Sequence, residues 1–132
     1  MEKLIVNRIM KLQGKTMINK FQVINIEAGM PTVAQAQKRL DMELDAARKL
    51  GITAVKIIHG YGSSGTGGKL KKAIRASLQM KQQAGKIKAY VPGEEWNIFN
   101  QIAREIIEAC KEVSKDSDLN RFNSGVTFVL LR

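Results

Sequence analysis

One cysteine, one histidine and one tryptophan are all that 132 residues carry of these side chains. Cys110 has no second cysteine to pair with, so an internal disulfide and a cysteine metal cluster are both excluded. A reducing compartment suits such a chain. The lone His59 rules out an acid–base pair made of two histidines. Long apolar runs are missing too, and none approaches the roughly 20 residues that a membrane helix needs. The opening MEKLIVNRIMKLQG threads charges through a short apolar patch, which is unlike a signal peptide. These absences lead us to expect a soluble cytoplasmic protein with no membrane partner. The length suits one ordinary domain, and the 44% apolar content is enough for one core.

The most telling absence is local. Residues 46–93 contain ten Lys or Arg and not one Asp or Glu, whereas the rest of the chain holds 12 of each sign. The whole net charge of +10 therefore falls within one continuous stretch. A positive field concentrated in this way attracts polyanions. A merely solvated face usually mixes its signs.

What is present reads as alternating elements. FQVINI (21–26), TAVKII (53–58), KIKAYV (86–91) and VTFVLL (126–131) are β-branched apolar runs that predict strands. Val33, Ala36, Leu40, Leu44, Ala47 and Leu50 recur at helical spacing, predicting a helix over 33–50 capped by Thr32 and stopped by Gly51. A second helix is predicted from about Lys69 to Gln83 with Leu70, Ala73, Ile74 and Leu78 inward, and Gly85 ends it. A third is predicted from Trp96 to Val113, buried through Ile98, Ile102, Ile106 and Ala109. Strands alternating with helices define an α/β domain over 21–132. Residues 1–20 read as an N-terminal extension, a helix or a strand with a turn near Gly14. Functional loops of such sheets lie beyond the carboxyl ends of the strands, which singles out 27–32 and 59–68.

The second of these loops opens HGYGSSGTGGKLKK (59–72), in which five of the first ten residues are glycine. It joins a strand to a helix start, where free N–H groups and the helix dipole favour an anion. Lys69, Lys71, Lys72 and Arg75 follow, placed to neutralise phosphates beside it. GYGSSG (60–65) matches G-x-G-x-x-G, but the strand ending at Val91 offers no carboxylate for a ribose. A mononucleotide loop would need glycine at 63 and a hydroxyl at 70, where Ser63 and Leu70 stand. A nucleic-acid backbone fits the bracket of histidine and lysines better. A flexible strand-to-helix linker is the plainer alternative.

VKIIHGYGSSGTGGKLKKAI resembles the second motif of the small MutS-related (Smr) domain family: strand, His-Gly-x-Gly, glycine-rich turn, leucine, basic helix. TVAQAQKRLDMEL is similar to that family's first helix and GVTFVLL to its last strand, so the resemblance spans about 21–131. It implies a two-layer α/β sandwich built from βαβ units on a four-stranded mixed sheet, similar to the C-terminal domain of translation initiation factor three. It further implies binding to DNA or RNA by structure more than by sequence. The residues implied for binding are His59, Gly60, Tyr61, Gly62, Gly65, Gly67, Gly68, Lys69, Lys71, Lys72 and Arg75. Several members nick or cleave nucleic acids through a first motif, Leu-Asp-Leu-His-Gly. Here that stretch reads INIEAG (24–29), with Asn25 at the aspartate and Glu27 at the histidine. Asn25 can neither carry charge nor take a proton, whereas a carboxylate at Glu27 can act as a base. Endonuclease activity would fall to His59 and Glu27, with a divalent metal only in that case and no other cofactor. A ribosome- or protein-associated interaction module is the third reading.

Other residues carry plainer expectations. Cys110 reads as a buried structural thiol. Trp96 reads as helix-entry packing rather than a base-stacking ring. Tyr61, inside the glycine loop, has little core to join and suits stacking on a base or sugar. Glu94, Glu95, Asp116 and Asp118 read as solvated caps and turns.

Overall fold

A computed structural model describes residues 9–12, 15–18, 20–61 and 67–132. Two short strands, β1 (Ile9–Leu12) and β2 (Lys15–Ile18), pair antiparallel within the N-terminal segment. The domain proper runs β3 (Phe21–Asn25), α1 (Val33–Lys49), β4 (Ala54–Ile58), α2 (Gly67–Gln83), β5 (Ile87–Pro92), α3 (Gln101–Ala109) and β6 (Val126–Leu131). Its sheet has the order β3-β4-β6-β5. β3 and β4 are parallel, and β6 runs antiparallel to both β4 and β5. This is the mixed four-stranded sheet expected for the domain.

Helix boundaries follow local chemistry. Thr32 and Gln35 form a reciprocal capping box at the start of α1. Gly51, at φ +77°, ends the helix with bonds from its own N–H to Arg48 O and from the Ile52 N–H to Ala47 O. Gly85, at φ +74°, ends α2 with the same pair of bonds, to Gln82 and Lys81. Both are Schellman stops, in which glycine alone takes the left-handed position without strain.

α3 is shorter than its apolar spacing predicts. Trp96 leaves helical geometry at ψ 84°, Asn97 turns its side chain to the Phe99 N–H, and Asn100 caps Ala103. Helix therefore starts at Gln101, and it stops where Cys110 becomes extended. Ile98 and Ala109, expected inside, are exposed. The short polar side chains of asparagine compete for backbone N–H groups and win over a periodicity of only a few residues.

The sheet is covered on both faces. Ala36, Leu40, Leu44 and Ala47 of α1 and Leu70, Ile74 and Leu78 of α2 pack on Ile24, Val55, Ile57, Val129 and Leu131, forming the sandwich of helices on sheet. Ala103 and Ile106 of α3, with Trp96, Cys110 and Val113, cover Ala54, Ala89, Val91, Val126, Phe128 and Leu130 on the other side. β6 is buried at all six positions, because alternate residues serve opposite cores. Each large side chain buried there contributes about 2 kcal/mol. Trp96 stacks on Phe128 with centroids 4.0 Å apart and planes 11° off parallel, so the ring is packed in the core, though in the turn ahead of α3 and not at its first residues.

The edge loops press tightly on one another. A Cβ on Gly93 would run into the Asn123 carbonyl and lie 2.7 Å from that of Val126. Backbone cannot rotate away as a side chain can, so Gly93→Ala should lower unfolding free energy by about 3 kcal/mol. Denaturant titration of the variant tests this. An unchanged midpoint would show that the two loops are loosely apposed.

Candidate functional site

β3 and β4 run side by side with Asn25 level with Ile58, so the loops after them leave the same end of the sheet. β6 begins at that end, with Val126 opposite Ile58, and β5 finishes there, with Pro92 opposite Thr127. Four connections thus meet at one edge, in the described stretches 26–32, 59–61, 93–100 and 116–125. Gly62 and Gly65 lie outside the described residues, whereas Gly67 and Gly68 open α2.

His59 occupies the centre and is fully buried. Its Nδ1 lies 3.0 Å from the Gly60 carbonyl, so it carries the proton and donates there. Nε2 lies 2.8 Å from Thr127 Oγ1 and accepts from that hydroxyl. Thr127 Oγ1 in turn accepts from Arg75 Nε at 3.1 Å. The chain from guanidinium to hydroxyl to imidazole to carbonyl leaves no ring nitrogen free. Burial lowers the His59 pKa to about 4, helped by the nearby charges of Arg75 and Lys71, so the ring is neutral at pH 7. His59 and Gly60 both donate their backbone N–H groups to Gly125 O at 3.0 Å. The histidine therefore ties the start of the glycine loop to β6.

Arg75 is the hub of the edge. It grips Glu94 with two bonds of 2.8 and 2.6 Å and reaches the carbonyls of Val126 and Ser124 at 3.2 and 3.4 Å. Burial opposes the Glu94 charge, but the Arg75 bonds outweigh it and hold the carboxyl below its usual range. Lys71 lies 3.8 Å from the same carboxylate. Of the four basic side chains expected at phosphates, Lys71 and Arg75 thus face Glu94, which is not the solvated cap its sequence position suggested. Lys69 and Lys72 are exposed and have no carboxylate partner among the described residues.

The first-motif stretch lies alongside. Asn25 is exposed and spends its Oδ1 on the N–H groups of Glu27 and Ala28, both at 3.1 Å. Arg39 binds the carbonyls of Ile26 and Ala28 at 3.0 and 2.8 Å, which clamps the turn. Glu27 lays its carboxylate over Gly60, where any Cβ would run into it. Gly60 sits at φ +86°, so the position needs glycine for its conformation, whereas the exposed Glu27 side chain can swing aside for a Cβ. Tyr61 is 62% exposed and its ring lies against Gly125.

Two other groups settle away from the edge chemistry. Lys56 points from β4 into the core on the α3 side, where it bonds both Asp116 oxygens at 3.0 Å and pairs with Asp118. Asp116 and Asp118 are largely buried, because the cation they neutralise is buried. Cys110 is buried, and burial followed by the Glu112 charge pushes its thiol up to about 11, far from a reactive thiolate. Among the described residues no group of three or more His, Cys, Asp or Glu stands together as a metal site would require. No described helix is long and apolar enough to cross a membrane.

The roles of Thr127, Glu94 and Lys56 were hardly legible in the residue pattern. A hydroxyl and an ammonium inside otherwise apolar strands were the available signals, because buried polar groups need partners.

An α/β domain with a glycine loop and a helix start braced at one edge of a mixed sheet is the class this structure defines. The Smr domain family model matches residues 28–98, more than half of the chain, and the chain belongs to that family. Over 63 residues it is 35% identical to the endonuclease MutS2 of Thermus thermophilus, a match covering 48% of this chain but 8% of MutS2. The crystal structure of the Smr domain of Thermus thermophilus MutS2 superposes with a TM-score of 0.50 at 24% identity, covering 86% of this chain and 98% of that domain.

Proposed function

We propose that this chain binds the phosphate backbone of nucleic acids at the loop edge, reading structure rather than sequence. The observation that carries this reading is the pair Lys69 and Lys72, exposed on the first turns of α2 directly after the glycine loop and without a carboxylate partner among the described residues. The helix start adds N–H groups and a positive dipole end to the two ammonium groups. Lys71 and Arg75 have a different part. Through Glu94, Thr127 and Ser124 they hold the neighbouring loops in place. His59 braces the loop from below instead of meeting phosphate. Kinship with an endonuclease agrees with a nucleic-acid ligand. The engaged nitrogens of His59 and the amide at Asn25 favour binding over cleavage as this chain's own activity.

Binding to duplex, branched and single-stranded DNA and to RNA, at two salt concentrations, tests the proposal. Each phosphate contact contributes about one unit to the slope of log affinity against log salt. The double variant Lys69→Ala/Lys72→Ala should weaken binding and flatten that slope by about two. No affinity at low salt for any of these nucleic acids would sink the reading.

A further inference from the structure

The seven aromatic residues divide cleanly by place. Phe21, Tyr90, Trp96 and Phe128 are built into the two cores. The other three, Tyr61, Phe99 and Phe122, are 62%, 85% and 67% exposed. All three sit on loops at one end of the sheet, the end where α2 presents Lys69 and Lys72. Folding alone gives no reason to gather exposed rings there, since a ring left in water forgoes the burial that stabilises a core.

Two further features accompany them. Phe122 adopts φ +57°, a left-handed conformation that a bulky residue rarely takes, and its ring is left exposed there. Basic side chains are interleaved with the rings. Arg121 precedes Phe122 and is exposed, and Arg104 binds the Ile98 carbonyl beside Phe99. Bare rings among cations match the chemistry of a single-stranded nucleic acid, whose bases stack on aromatic faces while its phosphates meet the charges. A duplex keeps its bases stacked on one another and has none to offer.

We propose that Phe99, Phe122 and Tyr61 form stacking platforms for unpaired bases, so that the ligand of this edge is single-stranded nucleic acid or the unpaired part of a branched one. The inference rests on the nucleic-acid reading above and adds the ligand class to it.

The whole chain is titrated with a fluorescent oligothymidine, an oligouridine, an abasic strand of equal length and a duplex. Phe99→Ala and Phe122→Asn are compared with the wild type. Each should weaken binding to the base-bearing strands about ten-fold and leave duplex and abasic binding, and the salt slope, nearly unchanged. Asparagine tolerates the left-handed backbone, so Phe122→Asn should also raise Tm by about 4 °C. Weaker binding in a more stable protein cannot come from misfolding. Equal affinity of wild type and variants for oligothymidine and oligouridine would overturn the stacking role while leaving backbone binding intact. The same drop on duplex and abasic strands would also overturn it. If the wild type binds none of the four at low salt, both readings fall. Preference for oligouridine over oligothymidine, with loss in the variants, supports the inference with RNA as the ligand.

Discussion

Replacing Lys56 with methionine should cost about 3–5 kcal/mol at neutral pH. The side chain is 8% exposed and neutralises both Asp116 and Asp118. Burial works against its ammonium charge, yet the hydrogen bonds to Asp118 and Asp116 raise its pKa overall. Asp118 is affected in the matching sense. Burial would raise it, but the Lys56 and Asn123 bonds dominate and hold it below the usual range. Methionine keeps the stem that packs near Phe128, with the Lys56 Nζ now 5.8 Å from the ring centroid, but removes the charge. Two carboxylates are then left in the core facing each other. The damage should shrink toward pH 4, as protonation removes their repulsion. Urea titrations at pH 7.5 and 4.5 would show this. The triple variant Lys56→Met/Asp116→Asn/Asp118→Asn should recover most of the loss, since an uncharged cluster carries no such penalty. A single variant as stable as the wild type would mean that the three side chains are well solvated.

His59 should make this protein sensitive to mild acid. Its folded pKa is near 4 and its unfolded pKa near 6.5. Between those values the unfolded chain binds a proton that the folded chain refuses, so stability rises with pH through the window and is complete above it. At 1.36 kcal/mol per pH unit, the loss by pH 4 is about 3 kcal/mol, and by pH 5 about 2 kcal/mol. Glu94 and Asp118 have lowered pKa values, and their contributions fade only below the ordinary carboxylate range. Unfolding free energies at pH 7.5 and 5 therefore isolate the histidine. In His59→Gln the side-chain amide can still accept from Thr127, and most of the pH 5 loss should disappear. If that variant loses as much as the wild type, the sensitivity arises elsewhere.

The same burial separates two meanings of the His-Gly-x-Gly signature. A histidine beside glycines at a strand end suggests contact with a ligand. Here the imidazole is the middle link between the Arg75–Thr127 pair and the Gly60 carbonyl, and it fixes where the loop leaves the sheet. The edge loops that carry Tyr61, Phe99 and Phe122 are tied to the same frame through Gly125, Asn120 and Glu94. Loss of His59 should thus act on binding through loop position.

Much of the architecture could be read directly from residues. Alternation of β-branched runs with 3.6-residue apolar spacing marked all four strands of the main sheet and the two long helices, because those periods are set by backbone geometry and by one buried face. Thr32, Gly51 and Gly85 marked helix ends, since caps are local hydrogen-bond chemistry. The confinement of charge to 46–93 and the glycine loop drew attention to the loop edge beyond β4. Tertiary structure decided the rest. Asp45, Asp41, Glu94, Asp116 and Asp118 return from outside that segment to pair with Arg48, Lys49, Lys81, Lys71, Arg75 and Lys56, so the charge that is continuous in sequence is largely answered in space. Lys69, Lys72, Lys86 and Lys88 keep no carboxylate partner among the described residues, and of these only Lys69 and Lys72 follow the glycine loop. The burial of His59, the hub at Arg75 and the gathering of three exposed rings depend on which strands lie side by side. No local pattern encodes that order, because it follows from how two apolar faces of one sheet are covered at once.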